Sequence, residues 1–120
     1  MNRNRKIGLI GEKYAKSFFE NKGFEIIAQN VHTQYGEIDL IVSDKKELIF
    51  VEVKTRTNLA FGYPETSISL KKTEHLISSA ELYLQDHPEI SLPWRIDVLA
   101  INLDSQNHEP HMEWFENAID

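Results

Sequence analysis

Two runs of strand-forming residues, Glu37 to Ser43 and Glu47 to Lys54, are parted only by Asp44, Lys45 and Lys46. A link that short joins neighbouring strands as an antiparallel hairpin, because a parallel pair needs a crossover of a dozen residues or more. A two-residue loop at Lys45-Lys46, or a four-residue loop centred on the same point, pairs positions whose numbers add to 91. Asp39 then faces Glu52, with Cβ atoms about 4.5 to 5.5 Å apart. A three-residue loop would put the two carboxylates on opposite faces. Side chains two apart share a face, so Lys54 accompanies Glu52 and Glu37 accompanies Asp39, while Val51 and Val53 point into the opposite layer.

The rest of the chain supplies what would cover this hairpin. Ile7, Ile10, Tyr14 and Phe18 recur at helical spacing, Ala15 and Phe19 widen the stripe, and Gly23 stands where a helix stops. A helix is expected over about Lys6 to Lys22. Phe24 to Val31 reads as a strand. Leu70 to Asp86 resumes the helical period through Leu76, Ile77, Ala80, Tyr83 and Leu84, with Ser69 as N-cap and Pro88 enforcing the end. Trp94 to Asn102 reads as a further strand, and Met112 to Phe115 as its hairpin partner. The expected order is α-β-β-β-α-β-β, an α/β domain with its middle strands covered by the two helices. With 120 residues and no repeat or linker, a single domain is expected over 1–120.

Composition narrows the function classes. No apolar run approaches the roughly 18 residues of a membrane span, and the basic start, Met1 to Lys6, is followed by no signal-like apolar stretch. There is no cysteine, hence no disulfide framework and no thiolate metal site. A cytoplasmic location is the expectation. The net charge of −6 conceals an asymmetry. Residues 1–95 are neutral, whereas 96–120 hold Asp97, Asp104, Glu109, Glu113, Glu116 and Asp120 with no Lys or Arg. Bulk charge therefore does not drive phosphate binding, leaving a local basic face or a cation held among carboxylates.

The hairpin carries the chemistry. Two ionised carboxylates in contact, partly removed from water, repel one another unless a proton or a cation intervenes. A hard divalent ion suits them: Mg²⁺ takes one or two carboxylates, keeps several waters and accepts phosphate oxygens from a substrate. Lys54, on the same face, is placed to hold a water there or to offset charge building on phosphorus. Glu-x-Lys on a strand is also the mark of a solvated face, where such a pair is worth about 0 to 1 kcal/mol. Against that reading, Phe50, Val51 and Val53 are strongly apolar, and charges inside such a strand are costly unless used.

A set of features in one order resembles the YraN-like family of small bacterial proteins. They are Gly11-Glu12 with Ala15, Asn30, Gly36-Glu37-Ile38-Asp39-Leu40-Ile41, Phe50-Val51-Glu52-Val53-Lys54-Thr55-Arg56, Phe61-Gly62, Lys72, Ala80 and Arg95-Ile96-Asp97. That family is assigned to the PD-(D/E)xK restriction-endonuclease-like superfamily and resembles archaeal Holliday-junction resolvases. The resemblance implies a restriction-endonuclease-like mixed sheet flanked by two helices, and a nuclease of structured, branched DNA that uses Mg²⁺ or Mn²⁺. It implies Asp39 and Glu52 as metal ligands, the Val53 carbonyl as a further ligand, Lys54 as the catalytic lysine and Glu12 as the first-helix acid completing the site. Ile38 stands where the superfamily's name has Pro.

Arg56 and Lys72 are candidates for phosphate contact, although the Lys71-Lys72 helix end is equally compatible with solvent. Arg95 and Asp97 share a strand face and are read as a structural pair. His108 and His111 are read as loop residues, since zinc would need two more converging ligands. Trp94 is read as core or a packing lid. A reading from another class is a non-catalytic nucleic-acid-binding or partner-binding module on the same fold, to which the acidic net charge points. A four-way junction presents two symmetric scissile strands, which would call for a homodimer.

Overall fold

The computed structural model describes residues 3–57, 69–103 and 109–119. Phe61, Gly62 and His108 lie outside them. The elements are α1 (Arg3–Asn21), β1 (Glu25–Thr33), β2 (Gly36–Ser43), β3 (Leu48–Arg56), α2 (Leu70–Asp86), β4 (Trp94–Asn102) and β5 (His111–Phe115). This is the expected order, with α2 and β4 at their expected bounds. The five strands form one sheet in the order β1-β2-β3-β4-β5. β3 and β4 run parallel, joined through α2, and the other neighbours are antiparallel. No helix among the described residues is long and apolar enough to cross a membrane.

Strand alternation sorts the core into two layers. Ala15 and Phe19 of α1 meet Leu40, Val42, Ile49, Val51, Leu99 and Ile101 on one face. Leu76, Ala80 and Tyr83 of α2 meet Ile38, Ile41, Leu48, Phe50 and Ile96 on the other. Each large apolar side chain so buried contributes about 1.5–3 kcal/mol. Ser69 caps α2, its Oγ accepting from Lys72 N at 3.1 Å. Trp94 stands edge-on to Phe50 at 5.6 Å between centroids and stays partly exposed, a lid on that layer.

The buried line of α1 differs from the stripe that spacing picks out. Ile10 and Tyr14 are exposed, and the contact runs along Gly11, Ala15 and Phe19, four residues apart. The reason lies at Gly11, where a Cβ would stand 2.8 Å from both Cβ and Cγ2 of Thr55. The helix can approach β3 this closely only without a side chain there, and the approach rotates Ile10 and Tyr14 outward.

The Arg95–Asp97 pair is structural, as expected, and more elaborate than a pair. Arg95 Nε and Nη2 donate to the two Asp97 oxygens at 3.0 and 3.2 Å, while its Nη1 reaches Glu47 at 2.8 Å and Nη2 reaches Glu116 at 3.1 Å. Asp97, fully buried, also accepts from Trp114 Nε1 and Asn117 N at 2.8 and 2.7 Å. Three acids, from the β2–β3 turn, β4 and the residue after β5, are thus gathered by one guanidinium, and part of the acidic excess of the C-terminal quarter is neutralised internally. His111 pairs with Glu113 at 3.1 Å.

Gly11→Ala tests the close approach. Alanine is the better helix former by about 1 kcal/mol, but overpacking against Thr55 outweighs this, so a net loss of about 1–3 kcal/mol is expected. It would be read as a lower urea midpoint with an unchanged m-value; equal or greater stability would show that α1 does not need the contact.

Candidate functional site

The β2–β3 hairpin has the even register. Leu40 pairs with Val51, Ile41 with Phe50, Val42 with Ile49 and Ser43 with Leu48, around the four-residue turn 44–47. Asp44 builds that turn: its Oδ1 accepts from Lys46 N and Glu47 N, each at 2.9 Å, as an Asx-type turn requires. These two bonds hold its carboxyl below the usual range. Lys45 takes a positive φ of 77°.

Beyond Leu40 and Val51 the regular pairing ends, and Asp39 occupies the opening. Its Oδ2 accepts from Val53 N at 2.8 Å, so the side chain takes the place of a ladder carbonyl. Alternation breaks at the same level in two strands. Ile38 and Ile41 of β2 both join the α2-side layer, and so do Ala28 and Val31 of β1, the residues that pair with them. Between lie Asp39 and, across from it, Asn30, whose φ of 50° is the left-handed conformation that Asn tolerates better than most residues.

This break assembles the acids. Carboxylate oxygens of Glu12, Glu37 and Asp39 lie within 4.8 Å of one another. Glu12 comes from α1, one residue past the close approach at Gly11. Asn30, with its amide nitrogen turned inward, donates to Glu12 Oε1 at 3.0 Å and Glu37 Oε1 at 2.8 Å. Glu52 adjoins Asp39 and adds to the crowding of its carboxyl, and is itself ion-paired, Lys72 Nζ lying 3.1 Å from its Oε2. A cleft of about 480 Å³ opens beside the acids, lined by Arg5, Leu9, Glu12, Asn30, His32 and Glu37 among others.

Of the residues expected from sequence, Glu12 and Asp39 come together, and Glu52 adjoins Asp39. Lys54 is half-buried two residues beyond Glu52, and Arg56 ends the same strand. By alternation both share the face of Glu52. Val53 meets Asp39 through its N–H. Lys72, a phosphate candidate, is engaged with Glu52. Glu37 and Asn30 were not among the expected site residues. The Glu-x-Asp spacing signals Glu37; Asn30 belongs to the set that carries the family resemblance, but its place beside the acids is legible only once β1 is registered on β2. At the far end of the Lys54 and Arg56 row, in register with Arg56, Asn102 is fully buried with both amide atoms unpaired among the described residues.

Crowding shows in the protonation of the site. Asp39 is pushed up to about 9, first by desolvation of its carboxyl, although part of the residue remains accessible, then by the hydrogen bond and charge of Glu52; the Val53 N–H opposes this. Burial and then the charge of Glu37 raise Glu12, against the lowering bond from Asn30. The donors are all hard oxygens, which fits Mg²⁺ or Mn²⁺ and does not fit a thiolate or imidazole metal. Among the described residues, Glu12, Glu37 and Asp39 bring carboxylate oxygens close enough to share such an ion, and Glu52 adjoins Asp39.

The folded chain therefore keeps a proton at Asp39 that the unfolded chain releases above the ordinary carboxylate range. Since the native state binds more protons there, stability without divalent ions falls as pH rises from about 4 towards about 9. Urea midpoints in chelator at pH 5, 7 and 8.5 should decrease in that order. Asp39→Asn, which can still accept from Val53 N and donate to Glu52, should flatten the trend; an unchanged slope would place the proton elsewhere.

Comparison with known proteins extends over the whole of this framework. Residues 11–101 match the family described as uncharacterised protein family UPF0102. A UPF0102 protein of Dehalococcoides mccartyi is 38% identical over 117 residues, covering 97% of this chain and 95% of the relative. One from Chloroherpeton thalassium is 37% identical over 119 residues, 99% and 92% of the two chains. Another, from Dictyoglomus turgidum, is 36% identical over 116 residues, 97% and 98%. Helix α1 from Gly11, the acid-bearing hairpin, α2 and nearly all of β4 fall inside the matched span, and the chain belongs to the UPF0102 family of YraN-like proteins.

Proposed function

We propose that this protein is a metal-dependent nuclease that hydrolyses phosphodiester bonds in structured, branched DNA. The observation that carries the reading is the opening of the β2–β3 ladder at Asp39, where Asp39 gathers with Glu12 and Glu37 and Glu52 adjoins it. Bound there, Mg²⁺ or Mn²⁺ would supply a Lewis acid for the phosphoryl oxygen and an acidified water.

The chain's own groups do the rest. Asp39, Glu52 and Glu12 provide carboxylate oxygens, and the Val53 carbonyl is the further ligand that the superfamily resemblance suggests. Asp39 must lose its proton for this, and a divalent charge in place of the proton makes that loss favourable. Lys54, on the face of Glu52, orients the attacking water for in-line displacement or offsets charge on the phosphoryl oxygens. Asn30 holds Glu12 and Glu37 at fixed separation. Arg56, further along the same face, and Lys72 supply phosphate contacts that position the strand without reading bases. A four-way junction, with two equivalent scissile strands, would be met by a two-fold pair of copies.

The test is product formation on four-way, flapped, single-stranded and duplex DNA with Mg²⁺, Mn²⁺ or chelator. Metal-dependent cleavage favouring a branched substrate is expected, with Asp39→Ala and Lys54→Ala each reducing the rate by about 100-fold or more. Activity unchanged by either substitution would reject the assignment. The acidic net charge favours one other reading, a binding module without turnover. Tight, salt-sensitive binding with no product at long times would establish that instead.

A further inference from the structure

We propose that Lys72 is a resident counter-ion of Glu52, holding the place of a divalent cation and set free towards substrate phosphate when that cation binds. The inference rests on the metal-binding reading of Asp39 and Glu52, and adds to it a coupling between cation and substrate.

Glu52 is only 7% exposed, sits in the central β3 and has a second acid, Asp39, as its electrostatic neighbour. A carboxylate so placed needs a positive partner, and the structure provides one from another element: Lys72 Nζ, 3.1 Å from Glu52 Oε2. The two ends of this pair are unequally fixed. The Lys72 side chain is 45% exposed, while its backbone is anchored by the Ser69 cap at the start of α2. The ammonium can therefore swing to solvent on its flexible stem with the helix in place. A divalent ion on the Asp39–Glu52 oxygens would come within a few ångströms of that ammonium. Like charges so close repel, so ion and ammonium compete for Glu52. Once displaced, the ammonium stands at the margin of the acidic site, on the side of α2, where a phosphate oxygen is the partner its charge seeks. A purely structural ion pair would show no such competition.

Calorimetric titration of Mn²⁺ alone into the chelator-stripped full-length protein separates these cases. Lys72→Met should bind Mn²⁺ about fivefold more tightly than the wild type, the weight of one partly exposed ion pair. Lys72→Arg, which keeps the competitor, should match the wild type. Lys71→Met, removing the same charge one residue away, should change affinity less than twofold, and Glu52→Gln should abolish the gain from Lys72→Met. Lys72→Gln provides the same reading if the Met variant does not fold. Equal Mn²⁺ affinities for wild type and Lys72→Met, or an equal gain from Lys71→Met, would overturn the counter-ion role and leave the metal site standing. No saturable Mn²⁺ binding by any of the proteins would overturn both.

Discussion

The site depends on one constraint, the parity of the turn between β2 and β3. Asp44 closes a four-residue loop with its own carboxylate, and the register that follows carries Asp39 to the level of Glu52. Because side chains alternate, a loop one residue longer or shorter would send one acid into the opposite layer. The apolar partners enforce the same choice. Leu48 and Phe50 belong to the α2 layer and Ile49 and Val51 to the α1 layer, so a slip would expose or bury four large side chains wrongly.

Given that register, the molecule balances its four site acids by three means. Asp39 keeps a proton and accepts the Val53 N–H that the opened ladder leaves over. Glu52 takes the Lys72 ammonium. Glu12 and Glu37 share the Asn30 amide. These are the three ways a carboxylate tolerates removal from water: neutralisation, ion pairing and donated hydrogen bonds. Asp97 sets the contrast. It too is buried, but two Arg95 nitrogens, an indole and a backbone amide saturate it, and nothing in its surroundings is left for a cation to supply.

The acids of the hairpin were legible because their geometry is local: a turn of even length and a period of two suffice to bring Asp39 and Glu52 together. Lys72 was legible as a cation near the site, but its bond to Glu52 was not, since it depends on how α2 lies across the sheet. Asn30 stood among the residues of the family resemblance, but nothing in the sequence placed it at the acids. Its role arises from a left-handed residue in β1 facing Asp39 in β2, and the register between two strands is not written in either strand alone. The same holds for α1, where Ile10 and Tyr14 are the more hydrophobic positions, yet Gly11 faces the sheet because closeness to Thr55 outweighed burying two larger side chains.

By itself the sequence determined the seven elements and their order and narrowed the hairpin to an even or an odd loop, of which the structure has the even one, since periodicity, capping and loop length act between residues a few positions apart. Only the tertiary structure decided which line of α1 lies inward, where alternation fails in β1 and β2, and which cation answers Glu52. Those outcomes are settled by contacts between distant segments, where packing volume and the desolvation of charge set the energies and local preference is too weak to overrule them.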